Sequence, residues 1–147
     1  MPGRCRNDQA SSVIVLVEPR ATPGTVMETH MQYMLMVYVN EAGWSKLTPA
    51  EQAQGVAAYT AYTEALRQAG VFKGTHRLQA SSAATTVRVA NGKSQVLNGP
   101  YADSQEQLGG FYLIDVPDLD AAISWAARCP GAQHGVIEVR PVWVGSM

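Results

Sequence analysis

The residues best suited to bind a ligand lie between Asn98 and Phe111, where a polar loop leads into two adjacent glycines, Gly109 and Gly110. The Asn98-Gly99-Pro100 sequence predicts a turn, and the apolar run from Phe111 predicts a buried strand. Because glycine has no Cβ, the pair lets another backbone or a ligand approach closely. The segment is therefore either one wall of a binding pocket or a tight loop feeding a core strand, which is the commoner arrangement.

Glu138 and Arg140 are predicted on one face of the last strand, because side chains two residues apart in a strand point the same way. The planar guanidinium of Arg140 suits bidentate binding of an anionic ligand. The alternative is an ion pair, either with Glu138 or with a loop carboxylate such as Asp103 or Glu106. An exposed pair of this kind would contribute only about 0–1 kcal/mol.

Tyrosines and one histidine complete the candidate site. A mostly apolar cleft with a few hydroxyls is typical of small-molecule sites, and Tyr59, Tyr62, Tyr101 and Tyr112 could line one. At helical spacing, Tyr59 and Tyr62 fit a plain core at least as well. His76 is the only histidine predicted on a strand, and a lone histidine is more often structural than a general acid or base. The sequence assigns no catalytic residue. The candidate ligand-binding residues are Arg140, Glu138, Tyr101, Gly109, Gly110, Tyr112, His76 and Tyr62.

Composition argues against several functional classes. The 147 residues suit one domain with a substantial core, and the formal net charge of −1, with no run of basic residues, argues against nucleic-acid binding. Cys5 and Cys129 lack metal-ligand spacing, so we expect reduced thiols and neither a zinc site nor a disulfide framework. No apolar run approaches the roughly 18 residues of a membrane span. We expect a cytoplasmic protein without metal, cofactor, membrane or nucleic-acid partner.

Residues 1–30 differ from the rest of the chain. The apolar stretch Val13–Val17 follows Arg4 and Arg6, but its five residues fall short of the roughly 7–15 of a secretory signal. This stretch could add a strand to a sheet edge, although a mobile tail is the usual outcome for such a segment. We predict a flexible, dispensable extension over residues 1–30 and one domain over residues 31–147. Met1, Met27 and Met31 stay open as translation starts.

Two helices should position the candidate residues. Thr48-Pro49-Ala50-Glu51 is a capping-box pattern that begins a helix running to Ala69, and Gly70 ends it. Asp118 is the predicted N-cap of a second helix, which Pro130-Gly131 terminates. The predicted apolar faces consist of Val56, Tyr59, Tyr62, Leu66 and Ala69 on the first helix and of Leu119, Ala122, Ile123 and Ala126 on the second.

Strands are predicted at Tyr33–Val39, Val71–Leu78, Thr85–Ala90, Lys93–Leu97, Phe111–Val116 and Gly135–Val144. Asn91-Gly92 predicts a two-residue hairpin turn, and Pro141 marks the last strand as an edge or marks its end. Simple alternation places Phe72, Gly74, His76 and Leu78 on one face. Residues around Gly43-Trp44 are predicted to form a connection.

The first strand is apolar on both faces, with Tyr33, Leu35 and Val37 on one and Met34 and Met36 on the other. The order of elements predicts an α+β fold, a ferredoxin-like βαββαβ arrangement with an inserted β-hairpin and an antiparallel sheet. Two helices can cover only one face of that sheet. We therefore expect a homodimer in which a second subunit covers the other face.

Several segments also match a known family in order along the chain. They are Asn98-Gly-Pro-Tyr101, Ser104–Tyr112, Val116–Ala122, Trp125–Arg128 and Glu138–Pro141. On these residues the chain from Met31 onward resembles the YCII-related proteins, and among them the subgroup named for its Asp-Gly-Pro-Phe (DGPF) motif. The resemblance implies a ferredoxin-like fold and a dimeric α+β barrel. It also implies an association with extracytoplasmic-function sigma factors, whose genes often neighbour those of the subgroup.

The chain departs from the family pattern in ways that bear on mechanism. Asn98 stands where the motif has aspartate, and Tyr101 stands where it has phenylalanine. Related proteins carry a histidine in the first helix that is suspected of forming a catalytic pair with an aspartate. The predicted helix Pro49–Ala69 contains no histidine, so that mechanism does not transfer, and the family counterpart of His76 is not usually histidine.

Two hypotheses remain. In the first, the protein is a dimer that binds a small molecule in a cleft between helix and sheet near the subunit boundary, with or without weak enzymatic activity. In the second, it is a non-enzymatic regulatory protein that acts with a sigma factor. Convergent polar groups in a closed pocket would favour the first, and a flat exposed apolar surface without a pocket would favour the second.

Overall fold

The computed structural model describes residues 30–145. The strands are β1 (Met31–Val39), β2 (Phe72–Arg77), β3 (Thr85–Ala90), β4 (Lys93–Asn98), β5 (Gln107–Val116) and β6 (Val136–Pro141). The helices are α1 (Glu41–Ser45), α2 (Pro49–Gln68) and α3 (Leu119–Arg128), with 3-10 turns at Ser81–Ala83 and Pro130–Gln133. The predicted extension up to residue 29, including Val13–Val17, lies outside the described residues.

Four strands form an antiparallel sheet in the order β2-β5-β1-β6, and β3 and β4 form a separate hairpin. The α+β class is confirmed, and β6 is an edge strand, as Pro141 predicted. Side chains alternate along the central strands, so Tyr33, Leu35 and Val37 are buried while Met34 and Met36 are half-buried. The buried set packs against α2 and α3 in one core, and we call this side of the sheet the helix face.

Helix α2 begins as the sequence predicts. The Thr48 hydroxyl accepts from the Glu51 amide, and the Glu51 carboxylate accepts from the Thr48 amide. Gly70 follows the helix with φ +72°, a left-handed conformation that glycine adopts without strain. The residues preceding α2 differ from the prediction, because Gly43 and Trp44 lie within the short helix α1, capped by the Asn40 side chain.

The predicted apolar face of α3 is partly wrong. Ala122 and Ala126 are buried as expected, but Leu119 and Ile123 are 48% and 49% exposed. The helix instead turns its small residues to the sheet, where Ala122, Ala126 and the following Cys129 join the core and Trp125 packs beside them. Alanines let the helix backbone approach the sheet closely, which leaves the bulkier side chains on the flank.

Strand β2 carries one extra residue relative to its partner β5, so the predicted common face of Phe72 and His76 is wrong. Phe72 pairs with Ile114 but Gly74 pairs with Leu113, so the register shifts at Lys73. Beyond that point, Thr75 and Arg77 lie on the helix face, opposite Tyr112 and Gly110. His76 pairs with Phe111 on the other face, so Phe72 and His76 do not share a face as simple alternation predicted.

Strand β5 also starts earlier than predicted, at Gln107 instead of Phe111. Val37 of β1 pairs with Gly110 while Tyr38 pairs with Leu108, which leaves Gly109 as an extra residue. The glycine pair therefore lies within the sheet, at a bulge, and not in the loop before it. Bulges of this kind accept glycine readily because the local backbone departs from regular pleating.

The β3–β4 hairpin forms at the predicted turn. Asn91 and Gly92 both have positive φ, +51° and +72°, as a type I′ turn requires. Both faces of the hairpin are largely exposed, including Val87 at 61%, Val89 at 66% and Val96 at 61%. Because Val87 and Val96 are cross-strand partners, they form one exposed apolar patch with Val89.

Within the described residues, no helix is long and apolar enough to cross a membrane. In the same part of the chain, no group of three histidine, cysteine or acidic side chains is arranged to hold a metal ion.

Candidate functional site

A cleft of about 530 Å³ lies between α2 and the helix face of the sheet. Its sheet side is formed by three strands, β1, β2 and β5, and its other side by α1 and α2. The residues that line it are Val37, Val39, Glu41, Trp44, Ser45, Val56, Tyr59, Thr60, Thr63, Thr75, His76, Arg77, Leu78, Gln79, Ala80, Gly109, Gly110, Phe111 and Tyr112. A mostly apolar lining with a few polar groups is typical of small-molecule sites.

Trp44 forms one wall of the cleft because Gly55 of α2 leaves room for it. A Cβ at Gly55 would lie 3.0 Å from Cζ3 of the indole ring. Glycine inside a helix costs up to about 1 kcal/mol relative to alanine, and here it permits close packing of α1 on α2. The Arg77 guanidinium in turn lies over the same indole, 5.0 Å from the ring centroid, a cation–π contact.

The hydroxyl groups of the cleft form a short chain. Thr63 donates to the Tyr59 carbonyl at 2.9 Å and lies 3.0 Å from the Tyr112 hydroxyl. Since the Thr63 proton is committed to the carbonyl, the Tyr112 hydroxyl is the donor in the second bond. Burial raises the pKa of Tyr112 above its usual range.

Tyr59 lines the cleft, and its hydroxyl lies against Gly131, where an added Cβ would be 2.7 Å from it. Burial raises its pKa to about 12, with a smaller contribution from the nearby Cys129, so the phenol is neutral near pH 7. A neutral phenol donates one hydrogen bond and accepts others, and it cannot act as a general base near neutrality. Among residues 30–145, the Tyr59 hydroxyl has no hydrogen-bond partner, so it is available to a bound molecule.

Glu41 is the acidic residue of the cleft, and its carboxylate is already occupied. One oxygen accepts from the Ser81 amide at 2.7 Å, and the other accepts from the Ser81 hydroxyl at 2.7 Å. These bonds fix the 3-10 turn Ser81–Ala83 next to the cleft. The Glu41 amide, in addition, donates to the Gln107 side chain at 3.1 Å, which ties α1 to the start of β5.

Four of the candidate residues line the cleft: Gly109, Gly110, Tyr112 and His76. The close approach predicted for the glycines is made by protein atoms. A Cβ at Gly110 would lie 2.6 Å from the His76 carbonyl oxygen, and a Cβ at Gly109 would lie 3.0 Å from Cγ2 of Val39. The His76 ring packs against Phe111, with ring centroids 5.7 Å apart.

Tyr62 and Tyr101 do not line the cleft. Tyr62 is buried in the core, where its hydroxyl donates to the Trp125 carbonyl at 2.7 Å and its ring contacts Tyr112 edge-on. Burial raises its pKa, so the phenol stays neutral. Tyr101 is 79% exposed in the loop after the hairpin, with the Arg88 guanidinium 5.9 Å from its ring centroid.

Glu138 and Arg140 lie on the face of the sheet opposite the helices, next to Met36 and Met34 in the register. Their side chains form an ion pair with an N–O distance of 2.9 Å, the alternative that the sequence left open. Neither residue lines the cleft. A role for this pair in ligand binding stays a prediction, separate from the cleft.

One histidine–aspartate contact occurs at the start of β1, where Nδ1 of His30 lies 3.4 Å from Oδ1 of Asp115. Asp115 also lies 4.0 Å from the Lys73 ammonium group. Neither His30 nor Asp115 lines the cleft, so this cluster and the cleft are separate features of the molecule.

Sequence reasoning missed Arg77, Trp44 and Thr63. Arg77 was hidden because regular alternation along β2 turns it away from the helix face, and only the extra residue at Lys73 brings it there. The available signal was Gly74, since a glycine inside a strand pattern often marks a bulge. For Trp44, the signal was Gly55 in the middle of a long helix, which indicates close approach by another group.

Comparison with known sequences finds related proteins. The YCII-related domain matches residues 31–145 of the chain. An uncharacterized protein of Rhizobium meliloti (strain 1021) is 34% identical to it over 114 residues, which are 76% of this chain and 92% of that protein.

Proposed function

We propose that this chain, which belongs to the YCII-related domain family, binds a small molecule in the cleft between α2 and the sheet. The observation that carries the proposal is the cleft itself. Its volume of about 530 Å³ lies within the roughly 300–1,000 Å³ of typical ligand sites. Its lining combines apolar walls from Val37, Val39 and Val56 with a neutral Tyr59 phenol and the Tyr112 hydroxyl.

The cleft also favours ligand binding over the alternative of a sigma-factor partner. That alternative called for a flat apolar surface without a pocket, whereas this lining is concave and includes polar residues from α2, β2 and β5. The exposed valines of the hairpin form an apolar patch, and we assign them to self-association. The proposed function is ligand binding, and it includes no chemical conversion of the ligand.

We further propose that the chain belongs to the DGPF subgroup and forms a homodimer of the dimeric α+β barrel type. The strand order β2-β5-β1-β6 with antiparallel pairing and both long helices on one face supports a ferredoxin-like topology. The face opposite the helices carries the half-buried Met34, Met36 and Phe111. A second copy packed against this face and against the hairpin valines would remove both apolar surfaces from water.

The binding proposal can be tested by blocking the cleft. Val56 lines the cleft from α2 and is 49% exposed, so Val56→Trp should fill part of the space without disturbing the core. The neighbouring Ala57 is exposed and does not line the cleft, so Ala57→Trp is the matched control. The three proteins are screened by thermal shift against a metabolite library, with native mass spectrometry of freshly purified protein to detect a retained ligand.

We expect compounds that raise the melting temperature of the wild type and of Ala57→Trp but not of Val56→Trp. The proposal fails if no compound stabilises the wild type, or if Val56→Trp responds to the same compounds as the control.

A further inference from the structure

The cleft presents a positively charged side chain that has no acidic partner among residues 30–145. Arg77 lies on the helix face of β2 opposite Gly110, and its guanidinium rests on the Trp44 indole. Within the described residues, Arg77 forms no ion pair. A cation–π contact uses the face of the guanidinium and leaves the N–H groups on its edge free to donate.

Within residues 30–145, the Glu41 carboxylate of the lining forms no ion pair with Arg77. Both oxygens of Glu41 accept from Ser81, at 2.7 Å each, so that carboxylate is directed at the 3-10 turn. The imidazole of His76 packs against Phe111 and carries no negative charge in either protonation state. The formal charges of Arg77 and Glu41 sum to zero, but the carboxylate is bound to the turn, whereas the guanidinium lies over Trp44 next to the apolar walls.

The threonine hydroxyls of α2 that line the cleft donate to main-chain carbonyls of their own helix. Thr60 donates to the Val56 carbonyl at 2.9 Å, and Thr63 donates to the Tyr59 carbonyl at 2.9 Å. The lining side chains whose donors have no partner among the described residues include Tyr59, Trp44, Gln79 and Arg77. All four suit an acceptor group, but only the guanidinium of Arg77 carries a charge, and its planar fork suits a planar anion such as a carboxylate.

We infer that the cleft selects a small, mostly apolar molecule with one carboxylate group, which Arg77 binds while the apolar body lies between Val37, Val39 and Val56. This inference rests on the proposed ligand-binding function and names the chemical class of the ligand. It also assigns anion binding to Arg77, on the helix face, because Arg140 lies on the opposite face and is paired with Glu138.

The test compares carboxylic acids with their neutral amides. The probes are 3-phenylpropanoate with 3-phenylpropanamide, and cyclohexanecarboxylate with cyclohexanecarboxamide. Their affinities are measured by ¹H–¹⁵N NMR titration, which also locates the binding site. We expect each acid to bind the wild type about five- to tenfold more tightly than its amide, because the group is exposed and part of the charged hydrogen bond is screened. Resonances of Gly109, Gly110 and Tyr112 should shift.

Substitutions of Arg77 isolate the contribution of its charge. Arg77→Gln should lower the binding affinity of the acids to that of the amides and leave the affinity of the amides unchanged. Arg77→Lys keeps the charge but loses the planar fork, so it should give intermediate affinity. The control is Arg88→Gln, since Arg88 also stacks on an aromatic ring but lies outside the cleft. Raising the sodium chloride concentration from 0.05 to 0.5 M should lower the binding affinity of the acids only. A circular dichroism melt verifies that each variant is folded.

The inference is overturned if acids and amides bind the wild type equally, if Arg77→Gln binds the acids as tightly as Arg88→Gln does, or if the shifts fall outside the cleft. None of these results contradicts binding in the cleft, which the Val56→Trp screen tests by itself. Hits in that screen that are cations or neutral compounds would support the proposed function and contradict the carboxylate inference.

Discussion

Individual glycines in this protein leave room for neighbouring groups on the walls of the cleft. Gly55 accommodates the Trp44 ring, and Gly110 accommodates the carbonyl oxygen of His76 from the adjacent strand. Neither has the positive φ that often explains a glycine. The sequence predicted close approach at Gly110 correctly, but it could not tell a backbone from a ligand, because both need only the absence of a Cβ.

Gly110→Ala should destabilise the fold. The new methyl group would lie 2.6 Å from a backbone oxygen that cannot move without separating β2 from β5. We expect a loss of about 1–3 kcal/mol in the free energy of unfolding, measured by urea denaturation. The matched control is Gly74→Ala, also in the sheet, where nothing lies within 4 Å of the new Cβ. Equal stability of the two variants would contradict the packing explanation.

The buried phenols should make stability depend on pH in the alkaline range. The pKa of Tyr59 is about 12 in the folded protein and about 10 when the chain is unfolded. Between these values the unfolded state binds fewer protons than the folded state, so the free energy of unfolding falls as pH rises from 10 to 12. Burial raises the pKa of Tyr62 and Tyr112 as well, which adds to the same slope.

Urea denaturation at pH 9, 10 and 11 measures this slope. Tyr59→Phe should make the slope shallower, and Tyr101→Phe is the control because its side chain is exposed and lies outside the cleft. A Tyr59→Phe variant with the wild-type slope would show that Tyr59 ionises as easily in the folded protein as in the unfolded chain.

At the scale of helices and strands, local signals predicted the fold well. The capping box at Thr48, the Asn91-Gly92 turn and the two-faced first strand each depend on contacts within a few residues, and all three are present. The wrong predictions concern features that depend on contacts between segments far apart in the sequence. Bulges in β2 and β5 arise from pairing between strands, and the orientation of α3 depends on how closely it approaches the sheet. Neither can be read from the periodicity of one segment.

The candidate site shows the same division. Tyr112 and the glycine pair lie on a strand whose pattern is clear, and the structure places them in the cleft. Arg77 depends on the register of β2, and Trp44 depends on a helix too short for its periodicity to be recognised. The cleft was predicted between helix and sheet, but the charged residue at its edge was not.

At the scale of the whole molecule, the described residues do not cover two apolar surfaces, the sheet face opposite the helices and the valines of the β3–β4 hairpin. The proposed dimer would cover both. Met36→Lys places a charge on the sheet face opposite the helices, where Met36 pairs with Phe111 and Glu138. Because burial of a charged side chain in an apolar interface is costly, we expect this variant to be monomeric at micromolar concentration while the wild type is dimeric.

Light scattering coupled to size exclusion measures the mass of each protein. Gln68→Lys introduces the same charge on the exposed surface of α2 and should leave the dimer intact. A monomeric wild type would contradict the proposed assembly, and a dimeric Met36→Lys variant would place the interface elsewhere on the molecule.

The extra residue at Lys73 has a consequence for how this binding site could change in evolution. A regular strand built from the same residues would pair His76, and not Arg77, with Gly110, and so turn the imidazole instead of the guanidinium to the helix face. The ligand chemistry would then depend on an imidazole instead of a planar guanidinium. Change of this kind needs a shift in strand register and no substitution in the cleft. A position-by-position comparison of two homologues could therefore find every lining residue identical while the two proteins bind different ligands.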